Sequence, residues 1–191
     1  MNDLPRRSGR TVPDLVPLPP AFQAFHELHY PAYLSYVELQ LGDLDEARRV
    51  VEDVFVYLAV NWRALMRTEV PAAEAWAVVK TVVVSHLDEG GRQPAMPETA
   101  VFRRVAAEVL RQTRGQFAVM ESVIGLYPAI ARLPERLFDV VVLRFVLGYP
   151  TGRVAAIMGL EEGTVRSHIH HARGKLSRDL GCGDPDERRS L

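Results

Sequence analysis

The sequence predicts an all-α protein built as two small helical domains joined by a linker. Three observations carry that expectation. Apolar residues recur at helical spacing through residues 22–65. A turn-rich stretch, DEGGRQPAMP at 88–97, separates that block from the rest of the chain. Near the C-terminus a short apolar segment, a glycine and a basic amphipathic segment follow one another over 151–176.

In chain order, residues 1–20 hold five prolines and little periodic apolar content, which reads as a disordered arm carrying Arg6, Arg7 and Arg10. Residues 21–87 form the first helical domain. Phe25, Leu28, Tyr33, Val37 and Leu41 share a helical face, and Gly42-Asp43 breaks it. Asp43 or Asp45 can cap the next helix, whose apolar face is Val50, Val51, Val54, Phe55 and Leu58. After Pro71 comes EAWAVVKTVVVSHL, where the β-branched run leaves helix and strand undecided. The linker is placed at 88–97. Residues 98–180 form the second domain, with a helical pattern from Glu98 to about Ala131 that is interrupted at Tyr127-Pro128. Leu133-Pro134 opens a new helix, PERLFDVVVLRFVLG, apolar nearly all round and ending at Gly148, so it should be the buried centre of this domain. Residues 181–191 read as a flexible tail.

Composition narrows the function. With 191 residues, 48% hydrophobic and 25% charged, the chain suits a soluble globular protein with a substantial core. It has no apolar run of membrane-spanning length and no apolar segment behind its N-terminal arginines, so a cytoplasmic protein is expected, with no membrane partner. The single cysteine, Cys182, forms no internal disulfide and no zinc cluster. His168 and His171 stand three apart, as do His26 and His29, but no carboxylate joins them, so no metal is expected. No G-x-S-x-G, Cys-His pair, phosphate loop or spaced carboxylate pair is present, which argues against an enzyme and against a cofactor. The net charge of −1 hides an asymmetry: nine acidic and five basic residues over 21–87, but five acidic and eight basic over 132–180. A basic half suits a polyanion and an acidic half suits a protein.

The pair of segments at 151–176 carries most of the information. Thr151–Met158 can form one helix, Gly159 supplies the turn, and the next helix starts near Glu161 to Thr164. Val165, Ile169, Ala172 and Leu176 fall at i, i+4, i+7 and i+11, on one apolar face. Arg166, Ser167, His170, Arg173 and Lys175 occupy the other side. That is the layout of a helix-turn-helix, whose second helix lies in the major groove with its early residues at base edges. Arg166 is placed for a guanine or a phosphate; Arg173 and Lys175 are placed for phosphates.

With those residues in view, the run from Leu133 to Leu176 closely resembles region 4 of the sigma-70 family, in particular its extracytoplasmic-function (ECF) type. The matching features are Leu133 to Arg136, Val142 to Phe145, Gly163 to Ser167, Ala172-Arg173 and Leu176. The resemblance implies a domain that binds promoter DNA and docks on RNA polymerase, with Arg153, Thr164, Arg166, Ser167, His170, Arg173 and Lys175 on the DNA side. Residues 21–87 resemble region 2 of that family more weakly, through Phe25 to Tyr30, Leu41 to Asp43, Ala47, Val54 to Leu58 and Ala75-Trp76. This half departs from the pattern. Ala47-Arg48-Arg49 stands where the family has Ala-Glu-Asp, and only Lys80 and His86 follow Trp76 as candidates to hold promoter DNA. Arg153 replaces an acidic residue common in the family. Holding single-stranded DNA needs a basic groove with aromatic stacking surfaces, and this segment offers little of either. Contact with polymerase or another partner is assigned to Arg48, Arg49, Glu52 and Asp53.

Three readings stay open at this point. One is a sigma-factor-type protein that binds double-stranded promoter DNA and associates with core RNA polymerase to direct initiation. A second is a divergent sigma-like regulator that binds DNA or a protein partner, such as an anti-sigma factor, without initiating. The third is an interaction module with its recognition helix hidden. The helix-turn-helix of response regulators competes for the C-terminal domain alone; a Trp-containing helical domain, linker and helix-turn-helix in that order favour the sigma reading.

Overall fold

The computed structural model describes residues 18–95 and 129–179. The expected arm apart from Leu18 to Pro20, the end of the linker, the helix from Glu98 to Pro128 and the tail lie outside the described residues. The described residues are helical, with no strand among them.

Helix α1 (Pro20–Leu41) starts with a proline in its first turn and stops at Gly42. Asp43 then caps α2 (Leu44–Val60), its carboxylate accepting from the Glu46 amide at 2.7 Å. The expected apolar face of α2, Val50, Val51, Val54, Phe55 and Leu58, is buried throughout. A single turn, α3 (Trp62–Leu65), brings Trp62 against Phe22 and Phe25, with ring centroids 5.2 and 5.4 Å apart.

The undecided valine-rich segment is helix α4 (Pro71–Glu89). Ala75, Trp76, Val79, Val83 and Leu87 form its buried face, at spacings of one, three and four residues. Burial of that stripe overrides the β preference of its valines. The first part of the expected linker is ordered: Glu46 holds Arg92 through two hydrogen bonds of 2.6 and 3.0 Å, and the Ala95 amide donates to the Gln40 carbonyl at 2.7 Å.

The buried helix of the second half begins after Pro134 as α5 (Glu135–Val141) and continues as a widened π-helical turn, Val142–Val146. Its residues Asp139 to Leu143 and Val146 are buried. Helices α6 (Thr151–Met158) and α7 (Glu162–Asp179) then form the expected pair around Gly159. Both halves contribute to one continuous apolar core, from Phe22 and Trp62 at one end to Val165 and Ala172 at the other.

Candidate nucleic-acid interface

The second helix of the pair is anchored from one side. Val165 and Ala172 are buried, and Ile169 and Leu176 pack on the core beside them. Thr164, Arg166, Ser167, His170, His171 and Arg173 are exposed on α7, while Lys175 is half-buried. Six of the seven residues assigned to DNA therefore share this helix. Their cations are only lightly tethered. Arg166 donates to Glu162 at 3.1 Å one turn earlier, Lys175 lies 3.9 Å from Asp179, and the Arg173 guanidinium sits 5.5 Å from the centre of the Phe145 ring. An exposed i,i+4 pair contributes only about 0.3–0.5 kcal/mol, so a phosphate or guanine can replace Glu162 at Arg166. His168 lies on the inner side, its pKa lowered by burial and then by the Arg136 and His171 charges.

Arg153 is placed differently. It lies on α6, and its guanidinium donates to the Leu28 carbonyl of α1. Through it the first helix of the pair touches α1. Gly159, in the left-handed conformation at φ +63°, lies so close to the start of α4 that a β-carbon there would stand 2.5 Å from the Ala73 nitrogen.

The centre of this junction is Asp139. It is fully buried and accepts from three groups of the N-terminal half: Tyr36 Oη at 3.1 Å, Trp76 Nε1 at 3.1 Å and Lys80 Nζ at 3.1 Å. Glu135 also pairs with Lys80. Burial raises the Asp139 pKa, and Lys80 with the hydrogen-bond donors only partly offsets it. Burial works to lower Lys80, yet the bonds and charges of Glu135 and Asp139 raise it overall. A raised Asp139 favours the neutral acid, whereas a raised Lys80 favours the charged ammonium. The two partners differ because the carboxylate is wholly enclosed, while the ammonium reaches a second, exposed anion. We read the pair as charged, with the enclosed carboxylate bearing most of the desolvation cost. Burial, followed by Asp139, pushes Tyr36 well above its usual range.

The residues expected to hold promoter DNA in the first half are thus occupied within the fold. Trp76 is buried against Tyr33 and Tyr36 and bonds Asp139; Lys80 pairs with Asp139 and Glu135; His86 pairs with Glu46 at 2.7 Å. Arg48, Arg49, Glu52 and Asp53 are exposed on α2, with Arg48 bonded to Asp45 at 2.8 Å. Val56, Tyr57 and Val60 extend that outer face as exposed apolar residues. Sequence reasoning missed Asp139 and Tyr36. A lone carboxylate inside an otherwise apolar helix was the available signal, because such a group must find donors when buried.

The second half is a helix-turn-helix packed against the helices of the first half. Residues 126–176 match the family model for region 4 of sigma-70. No curated protein matches the chain. Among solved structures it is similar to the sigma factor RpoE of Bartonella quintana, crystallised with the anti-sigma factor NepR. That likeness has 17% identity, covers 86% of this chain and 99% of the other, and has a TM-score of 0.41.

Proposed function

We propose that this chain is an ECF-type sigma-like transcription protein that binds double-stranded promoter DNA through α7 and associates with core RNA polymerase. The observation that carries this reading is the outer face of α7, where Arg166, Ser167, His170 and Arg173 stand exposed while the opposite face is anchored in the core. In this role Arg166 reads a base edge or grips a phosphate near the start of the helix, and Arg173 and Lys175 hold the backbone. The exposed face of α2, with Arg48, Arg49, Glu52 and Asp53, is the surface offered to polymerase. Neither a catalytic residue nor a cofactor enters this scheme.

A second reading, a regulator that does not initiate, draws support from one specific observation. Trp76, Lys80 and His86 are all engaged inside the fold. One experiment separates the two: co-elution of the purified chain with core RNA polymerase, followed by transcription from its candidate promoters. Binding with transcripts supports the first reading; retention on duplex DNA without polymerase binding supports the second. Loss of duplex retention at every salt concentration removes DNA binding from both and leaves the second only as a regulator of a protein partner, because phosphate contacts give DNA affinity a steep salt dependence.

A further inference from the structure

We propose that Glu162 is a positioning residue that makes Arg166 a reader of a guanine edge and keeps it from serving as a phosphate contact. The inference rests on the DNA-binding reading above and sharpens it, since that reading leaves Arg166 a choice between base and backbone. The two side chains stand one turn apart at the start of α7, both exposed, with Arg166 Nη1 donating to a Glu162 carboxylate oxygen, Oε2, at 3.1 Å.

An exposed pair of that kind is weak by itself. Here the carboxylate is also held by α6. A β-carbon built on Gly152 would stand 2.8 Å from Glu162 Oε1 and 3.6 Å from its carboxyl carbon, so the carboxylate lies on the bare backbone of the first turn of α6. That turn has no acidic residue and no side-chain cap, and Pro150 precedes it. The amide end of a helix carries partial positive charge, which a nearby anion stabilises. Glu162 supplies that anion from the neighbouring helix. One carboxylate thus joins the first turn of α6 to the guanidinium on α7, and Gly152 is the position whose missing side chain admits it.

This arrangement decides what Arg166 can take. Glu162 occupies one guanidinium nitrogen, Nη1, and leaves the edge formed by Nε and Nη2 free for the two acceptors of a guanine, O6 and N7. The carboxylate repels a phosphate that approaches the same cation, whereas a neutral base edge meets no such charge. Because α6 fixes the carboxylate from behind, the free edge keeps one direction before DNA arrives, which lowers the cost of ordering the side chain on binding.

The test uses the full chain and three variants. Glu162→Gln removes the anion, Gly152→Ala pushes it aside while leaving it in the chain, and Glu161→Gln removes the same charge from the neighbouring exposed position. Gly152→Ala displaces only the flexible end of Glu162, and alanine favours a helix, so this variant should melt no lower than the parent. Anisotropy compares a duplex selected by the parent from a random pool with a scrambled duplex of the same composition, across a salt series. Glu162→Gln and Gly152→Ala should each lower the preference for the selected duplex by about fivefold, the low end of what a bidentate arginine discriminates. In Glu162→Gln the salt dependence on scrambled duplex should steepen by about one phosphate contact. Glu161→Gln should leave the preference unchanged. An equal loss in Glu161→Gln reduces the effect to bulk charge and overturns the proposal, as does an unchanged preference in Glu162→Gln. Nuclear relaxation of the Arg166 Nε–H group gives a readout free of DNA, with a restricted side chain in the parent and a mobile one in Glu162→Gln and Gly152→Ala. Mobility already present in the parent overturns the proposal. Restriction that both variants release, in a chain that prefers no duplex, supports Glu162 as the residue that orients Arg166 and defeats the DNA-binding reading instead.

Discussion

Replacing Gly159 by alanine should cost far more than the same change at Gly148, and the difference measures the contact between the two halves. Both glycines have positive φ, +63° and +75°. An alanine at either position carries the strain of a left-handed L-residue, about 1 kcal/mol or slightly more. Lower entropy of the unfolded chain offsets about 0.4–1 kcal/mol of that in both variants. At Gly148 nothing lies within 4 Å of the added carbon, so no clash adds to the strain and the net loss is small. At Gly159 the new carbon would stand 2.5 Å from Ala73 N, 2.7 Å from Val70 Cγ1 and 2.9 Å from Ala73 Cβ, where ordinary contact begins at 3.4 Å. Relief therefore requires α4 and the turn to separate by roughly 1 Å, and overpacking of that kind costs about 1–3 kcal/mol. Urea unfolding of both variants, followed by far-ultraviolet circular dichroism, should show Gly159→Ala less stable than Gly148→Ala by that amount. Opening of the halves sets an upper limit on the loss, and would appear as a broadened or two-step transition with a changed slope. Equal stability of the two variants, within about 0.5 kcal/mol, would refute the close approach of the turn to α4.

Three further outcomes can be checked. Arg166→Ala should weaken binding to a specific duplex by about 1–3 kcal/mol if the guanidinium makes a bidentate base contact, as read by anisotropy; an unchanged affinity removes that role. His29, lowered from 6.5 to about 4 by burial and then by the Arg153 charge, stays neutral in the fold while the unfolded chain takes up a proton. Stability should fall as pH drops from 6.5 through about 4, and His29→Phe, which can keep the stacking on Phe25 at 4.1 Å, should flatten that part of the melting-temperature profile. Glu46 acts in a lower window. Its pKa is brought from 4.5 to about 2 by Arg92 first and His86 second, so its contribution is present above 4.5 and lost as pH falls through about 2. Because its partners Arg92 and His86 are partly exposed to solvent, Glu46→Gln should cost only about 1 kcal/mol at neutral pH in a denaturant titration.

The elements with a clear period were legible from the chain alone. The Gly42-Asp43 break, the buried stripe of α2 and the pair of helices around Gly159 all follow from local rules of capping, spacing and turn chemistry. The valine-rich segment was not decided by its composition, because propensity is weak beside the burial of Trp76, Val79 and Val83 on a shared core. Arg153 shows the limit more sharply. Its place on the first helix suggested DNA, yet the direction of its guanidinium depends on α1, which supplies the Leu28 carbonyl 125 positions away. Spacing along one helix cannot reveal a partner of that kind.

The charge distribution makes the same point in physical terms. From bulk counts, the acidic first half and the basic second half should meet with anions on the first and cations on the second. The described ion pairs across the junction run the other way: the first half gives the cation, Lys80, and the second half gives Asp139 and Glu135. Net charges act over about 8 Å in physiological salt, and solvent screens them. A buried carboxylate answers instead to the donors within 3.1 Å, and its partners are chosen by packing. That separation leaves α7 with its exposed cations, since the basic surplus of the second half, Arg153 apart, is not used in closing the fold. The cation that closure takes from this surplus is Arg153, and a carbonyl dipole holds it more weakly than a phosphate would. On the proposed DNA-binding role, a phosphate that reached Arg153 would compete with the Leu28 carbonyl for its guanidinium.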